Sequence, residues 1–359
     1  MSAVSQHVVV VADSRFPIRE PFAGGMQSQT WHLVHGLRDR GIDVTVFAGP
    51  GSDPALGAHL LDVTPLRLSD TARRDVSMQP EEWLAQHHAY LELMVALGRR
   101  SDVDVVHNNS LHHLPVAMAG ALQAPVLTTL HTPPTPWLEP AVAMAGPGHH
   151  VVAVSRHTAR AWRHVVGPEA PVVPNGVDVQ RWTPGPGGPD LVWTGRIAPE
   201  KAPHLALEIA RKAGRALRIA GPVTDPVYWR DEVRPRLGPG ATYEGHLGQR
   251  DLARLVGGSA LCLVTPAWDE PYGLVAAEAL ACGTPVLGFD RGGLAEVVGS
   301  DCARLVAADD VEAAAALVRE VAALDRRAAR RHAERHCSLE AMVSAYVDQY
   351  AALAGPRAA

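Results

Sequence analysis

Short apolar runs recur along this chain, each closing on polar residues and separated from the next by a helical stretch. No other feature constrains the fold as strongly. In the first half, His7–Asp13, Val44–Ala48, Val103–His107, Val126–Leu130 and Val151–Val154 read as strands. Helices are expected from about Met26 to Arg40, ended by Gly41, and from Glu81 to about Arg99. Such alternation argues for a parallel, doubly wound sheet. Between Pro168 and Pro189 prolines and glycines crowd together, which marks a linker and places a domain boundary near residue 170. The second half repeats the pattern. Its strands are Leu191–Thr194, Leu217–Ala220, Thr242–Tyr243, Ala260–Val264 and Pro285–Phe289, with helices over His204–Ala213, Asp251–Val256, Tyr272–Ala281 and Val311–Leu324. A last amphipathic helix from Ser338 to Leu353 carries Met342, Tyr346 and Tyr350 on one face, with Ser338 as its N-cap. The expectation is an α/β protein of two Rossmann-like domains, 1–170 and 171–337, whose parallel sheets face a central cleft.

Length agrees with this: 359 residues exceed one ordinary core and suit two. A net charge of −5 gives no basic field for nucleic acid. Arg326-Arg327 and Arg330-Arg331 are the only candidates for peripheral contact with a membrane, and a solvated helix face is the simpler account of them. The apolar run after Gln6-His7 is shorter than a signal or membrane segment, so a cytoplasmic location without an integral membrane segment is expected. Four cysteines without a C-x-x-C spacing suit neither a disulfide framework nor a zinc site. Of 33 basic residues only Lys201 and Lys212 are lysines, a bias of GC-rich coding that makes Lys201 worth notice.

In open parallel sheets, ligands bind beyond the carboxyl ends of the strands. The residues there are polar in both halves: Asp13, His107-Asn108-Asn109, His131-Thr132, Ser155-Arg156, Gly195-Arg196, Gly221-Pro222, His246 and Asp269-Glu270. The sharpest cluster is Glu270-Pro271-Tyr272-Gly273-Leu274-Val275, with a second carboxylate at Glu278. Pro271 suits the start of a helix, whose first N–H groups form an anion site. Eight residues of helix span about 12 Å, too far for the roughly 5–9.5 Å of a hydrolase acid/base pair. The two carboxylates instead suit hydroxyls at either end of a long ligand with an anion between them, as in a nucleotide sugar. Arg196 and Lys201 supply cations for its diphosphate, one as a fork and one as a point charge. Gly24-Gly25 before the first long helix is either a phosphate-approach loop or simply a loop, since no G-x-G-x-x-G accompanies it.

Together these residues resemble glycosyltransferase family 4, retaining enzymes of GT-B fold. The likeness runs along nearly the whole chain: Gly24-Gly25, His131-Thr132, Pro174-Asn175-Gly176-Val177-Asp178, Gly195-Arg196 with Glu200-Lys201, and the E-x7-E pair within EPYGLVAAEALACGTPVL, followed by Gly292-Gly293 and Glu296. The resemblance implies that Glu270 binds donor-sugar hydroxyls and Glu278 the ribose. Arg196 and Lys201 would neutralise the leaving diphosphate with help from the N–H groups of Gly25 and Leu274. His131 would lie beside the reacting carbon, and backbone near Gly221 and His246 would read the base. It further implies a terminal helix, about 338–355, packed back on the first domain. The implied reaction is retaining transfer of a hexose from a nucleotide-diphosphate sugar to a hydroxyl acceptor, front-face, without metal or other cofactor. UDP-glucose is the preferred donor type and GDP-mannose the second. His107, Asn108 and Asn175 are candidates for the acceptor side, where the acceptor itself stays open. Ala202 stands where the family usually has glycine.

Two decoys and two rivals complete the reading. Asp102-Val103-Asp104 resembles a D-x-D metal motif but precedes its strand, away from the cleft. The pairs His87-His88, His112-His113 and His149-His150 are sequence neighbours, which do not converge as i, i+4 ligands do, so no metal site is expected. A non-catalytic nucleotide-sugar binder would not need leaving-group cations. An epimerase or phosphorylase of the same fold would need further cleft carboxylates or a second lysine for pyridoxal phosphate.

Overall fold

The computed structural model describes residues 6–60, 66–168 and 170–354. Met1–Ser5 and Gly355, the ends of the first-domain and terminal-helix readings, lie outside them. Two six-stranded sheets are present, and each has the same winding. The first runs β3-β2-β1-β4-β5-β6, with β1 His7–Ala12, β2 Asp43–Ala48, β3 His59–Leu60, β4 Val105–Asn109, β5 Val126–Leu130 and β6 His149–Ala153. The second runs β12-β11-β10-β7-β8-β9, with β7 Leu191–Thr194, β8 Leu217–Ala220, β9 Ala241–Tyr243, β10 Cys262–Val264, β11 Val286–Phe289 and β12 Ala303–Val306. All pairings within them are parallel. In both sheets the winding reverses beside the first strand, at β1/β4 and at β7/β10. Those switch points are where such sheets open a crevice.

The central strands are apolar because both faces are covered. Val8 and Val10 pack with Leu33, Val34 and Leu37 of the Gly25–Asp39 helix, whereas Val9 and Val11 pack with Tyr90, Leu93 and Met94 of the Glu81–Leu97 helix. The period-2 alternation of side chains thus feeds two separate cores from one strand. The Leu339–Ala354 helix belongs to the first sheet although it ends the chain: Met342, Val343, Tyr346 and Tyr350 lie in the core of Val8 and Leu33. Two chain crossings join the halves side by side. The Val177 N–H donates to the Cys337 carbonyl at 2.8 Å, and the Leu339 N–H donates to the Val177 carbonyl at 3.1 Å. Val173 packs in the first core and Val177 in the second.

Among the described residues, three helices of seven residues or more lie outside the expected ones, Leu138–Met144, Arg156–Val166 and Arg326–His336. The last corrects the account of the paired arginines. Arg326 donates to the carbonyls of Ser259 and Gly257 at 3.0 and 2.8 Å, and Arg330 to those of Trp182 and Ala281 at 2.7 Å each. Only Arg327 and Arg331 face outward. A guanidinium that closes helix and loop carbonyls is a structural fastener rather than part of a solvated face. Among the described residues no helix is long and apolar enough to cross a membrane, and all four cysteines are buried free thiols.

Candidate active site

A cavity of about 330 Å³ lies between the two sheets at their switch points. Its second-domain wall is built from the ends of β7 and β10. After β7 come Gly195 and Arg196, then Lys201 on a single 3₁₀ turn, Pro199–Lys201. After β10 come Trp268, Glu270 and the turn into the Leu274–Ala281 helix, which starts two residues later than the expected Tyr272. Because Glu270 precedes that helix, helical rise does not measure its separation from Glu278. Both nevertheless line the same cavity.

The first-domain wall is the start of the Gly25–Asp39 helix. A Cβ on Gly25 would sit 2.8 Å from Leu274 Cδ1, and one on Gly24 would come within 3.9 Å of Arg196 Cδ. Two helix N-termini, one from each domain, therefore face each other with Arg196 beside them. Their first N–H groups have no carbonyl to bond within their own helices, and both dipoles favour a negative charge between them. A methyl at Gly25 would press on the Leu274 side chain across the cleft.

The charges are arranged as pairs. Lys201 Nζ donates to Glu270 Oε2 at 2.5 Å, Trp268 Nε1 donates to the same oxygen at 3.1 Å, and Lys201 Nζ lies 5.1 Å from the centre of a Trp268 ring. Arg196 Nη2 meets Glu200 Oε1 at 2.9 Å. Each cation is thus held by a carboxylate, and an incoming anion competes for it. Trp268, a cleft residue in contact with both Lys201 and Glu270, is one that sequence reasoning missed. Ala202, next to Lys201, takes a left-handed conformation with φ 45° and ψ 51°, the reason glycine is expected there.

Burial sets the remaining protonation states. Desolvation pushes the Glu278 carboxyl up to about 8. Burial lowers His131 to about 4, so its ring is neutral. His131 Nε2 lies 2.7 Å from Asn109 Oδ1, which places the ring proton on that nitrogen. Glu278 carries a testable linkage. Its folded pKa lies above the usual carboxylate value of 4.5, so the folded state holds the extra proton between about pH 4.5 and 8, and stability falls as pH rises through that window. Glu278→Gln removes the term. Relative to wild type, the variant is expected to gain in melting temperature from pH 5 to pH 8. A difference that stays flat with pH would mean an ordinary carboxylate there.

Gly24, Gly25, His131, Asn175, Arg196, Lys201, Gly221, His246, Glu270, Tyr272, Gly273, Leu274, Val275 and Glu278 all line the one cavity. His246 also spans the domains, with Nε2 2.9 Å from the Phe22 carbonyl. His107 and Asn108 are corrected. β4 ends at Asn109 rather than His107, which leaves both inside the strand, fully buried. His107 is sealed between Tyr350 Oη at 2.6 Å and Thr129 Oγ1 at 2.8 Å. Asn108 Nδ2 donates to Thr128 Oγ1, and its Oδ1 accepts from Ser110. The true end of the strand is Asn109, the residue that holds His131. Asp104 lies at the other end of β4 and accepts the His7 N–H at 2.7 Å.

Three of the paired histidines come together across the fold. His112 and His113 are sequence neighbours, yet His87 of the Glu81–Leu97 helix reaches them, and a ring nitrogen of each lies within 4.8 Å of the others. Burial lowers all three, His112 to about 3.

Comparison with known proteins is consistent with this geometry. Residues 23–181 match the model of Glycosyltransferase Family 4, and residues 188–323 that of Glycosyl transferases group 1. The chain is 29% identical over 356 residues to a glycogen synthase of Mycobacterium tuberculosis, with 85% of each chain covered. To a D-inositol 3-phosphate glycosyltransferase of Geodermatophilus obscurus it is 29% identical over 434 residues, covering 100% of this chain and 92% of the other. AviGT4, a glycosyltransferase involved in avilamycin A biosynthesis, superposes with a TM-score of 0.70 at 25% identity, covering 98% and 99% of the two chains. HepE of Anabaena, solved with UDP-glucose, gives 0.74 at 16% identity, covering 97% and 100%.

Proposed function

Because this chain belongs to glycosyltransferase family 4 and has the GT-B fold, we propose that it transfers a hexose with retention from a nucleoside-diphosphate sugar to a hydroxyl acceptor. The observation that carries this reading is the meeting of two helix N-termini, Arg196 and Lys201 in one cleft between carboxylates. UDP-glucose is the donor type we favour, with GDP-mannose second. Glu270 takes hydroxyls of the donor sugar, and Glu278 takes the ribose. Leu274 and Gly25 offer N–H groups to the diphosphate, and the base lies toward Gly221 and His246.

The sugar C1–O bond breaks and its electron pair goes to the β-phosphate oxygen. Arg196, Lys201 and the helix N–H groups stabilise the charge that grows there. The acceptor oxygen attacks from the same face, and its proton passes to the leaving phosphate. Neutral His131 lies beside the reacting carbon and contributes no cation. On this reading the diphosphate needs no divalent metal, since two side-chain cations and two helix dipoles already face it. The first domain receives the acceptor on the side of Asn175, and the reaction takes place in the cytoplasm, where the donor is made.

Calorimetry of UDP, GDP and ADP in chelator-containing buffer tests the donor site. One nucleotide is expected to bind at least tenfold more tightly than the other two. The matching nucleotide sugar should then be hydrolysed slowly to the α-configured hexose, read by NMR before mutarotation. A β product would overturn retention, and binding only with added metal would overturn metal independence.

A further inference from the structure

We propose that His87, His112 and His113 form a binding site for a divalent transition-metal ion of the zinc class, separate from the donor cleft. Three imidazoles converge there, with a ring nitrogen of each within 4.8 Å of the others. A second observation points to a ligand: His87 Nδ1, His112 Nε2 and His113 Nδ1 are all buried and have no hydrogen-bond partner. A buried polar nitrogen without a partner costs free energy, and three in one cluster share one remedy. An ion accepts all three lone pairs at once.

The donor set fits. Neutral imidazole is a preferred ligand for zinc, and three imidazoles with an open fourth position form a known zinc arrangement. Zn–N bonds of about 2.0–2.1 Å set ligand nitrogens about 3.3 Å apart, so no pair need close by more than about 1.5 Å. The rings are already oriented by neighbours. Tyr90 stacks on His112 at 4.1 Å with 14° between planes, and Trp83 stacks on His87 at 5.3 Å and 8°. Two adjustments are required. His113 now stacks on His112 at 4.8 Å and 20° and on His87 at 5.4 Å and 29°, so its ring must turn before its nitrogen faces a shared ion. His112 Nδ1 now accepts the Leu114 N–H at 3.2 Å, and ligation through Nε2 moves the ring proton to Nδ1. That contact must open, so His112 moves as well.

The location gives the ion a consequence. His112 and His113 belong to the loop after β4, whose Leu111 lines the cleft and which follows directly on Asn109, the strand residue that holds His131. His87 belongs to the helix whose Tyr90 donates to the Ala12 carbonyl and accepts the Ser14 N–H at the end of β1. A bound ion would cross-link that helix to the acceptor-side loop and stiffen the wall without touching the donor.

The test uses full-length, tag-free protein stripped with chelator. Zinc calorimetry is expected to show one tight site per chain, and cobalt to give the intense visible bands of a tetrahedral site. His87→Ala and His113→Gln should each weaken zinc by at least about tenfold, the smaller end of the loss when even a residue that only supports a ligand is removed, with circular dichroism and UDP binding unchanged. His332→Ala, which removes a ligand from the separate Asp301, Cys302 and His332 group, should leave zinc binding intact. Wild type that binds zinc no more tightly than the two histidine variants overturns the proposal, as does loss confined to His332→Ala or a cobalt spectrum that stays octahedral. UDP calorimetry on the same samples reads the donor site separately, since the two sites share no residue.

Discussion

Lys201→Ala is expected to lower kcat/KM for the nucleotide-sugar donor by roughly 10²–10³-fold, the scale for removing one group that stabilises developing charge. The loss has two parts. The leaving diphosphate forfeits a point cation. In addition, Glu270 Oε2, which accepts Lys201 Nζ at 2.5 Å and Trp268 Nε1 at 3.1 Å, keeps only the indole. A half-buried carboxylate without its cation then repels the diphosphate it formerly helped to admit. Glu270→Gln separates the two parts, because it frees Lys201 for phosphate while weakening the grip on sugar hydroxyls. UDP affinity should hold or rise in Glu270→Gln and fall in Lys201→Ala, whereas kcat falls in both. Lys201→Arg should recover little: a planar fork does not reproduce a compact ammonium set over the Trp268 ring at 5.1 Å. Donor hydrolysis and UDP calorimetry read both quantities. If Lys201→Ala stays within threefold of wild type, the lysine merely neutralises Glu270.

What the sequence revealed and what it concealed divide along a physical line. Strands buried on both faces announce themselves as unbroken apolar runs, so Val126–Leu130, Leu191–Thr194 and Leu217–Ala220 are read to the residue. Two of the four edge strands do not. β3 has two residues, and β12 carries Arg304 in its middle, so neither shows a run. Glu270, Glu278, Arg196 and Lys201 are legible because spacing around helix starts and strand ends is local. His107 fails for the same reason in reverse: a polar residue inside a strand looks like one beyond its end until the partner strand is known. Its satisfaction by Tyr350, 243 positions away, is written nowhere near it. Trp268 and the convergence of His87 with His112 likewise depend on tertiary proximity.

Gly292→Ala is expected to cost activity through Glu270, which the added methyl displaces. The residue lies at φ +65°, and an added Cβ would stand 2.1 Å from the Glu270 carbonyl oxygen and 2.4 Å from the Glu270 nitrogen. Both obstacles are backbone, so no side chain can swing aside. The next residue fixes the same segment, since the Gly293 N–H donates to the Glu270 carbonyl at 2.6 Å. From the other domain, Ser155 Oγ and Thr158 Oγ1 donate to the Pro271 carbonyl at 2.6 and 3.2 Å. Glu270 is therefore held between a loop of its own domain and the first turn of a helix in the other. Relieving the clash displaces it by about 1 Å, a misplacement that can cost about 10²-fold in rate. Left-handed strain adds roughly 1–2 kcal/mol of lost stability. Gly57→Ala separates these effects. Gly57 has φ +53° with nothing within 4 Å of an added Cβ, so it incurs the strain without the collision. The expected outcome is a lower melting temperature in both variants and a fall in kcat/KM only in Gly292→Ala. Equal activity in the two would show that the loop after β11 supports the fold without setting the position of Glu270.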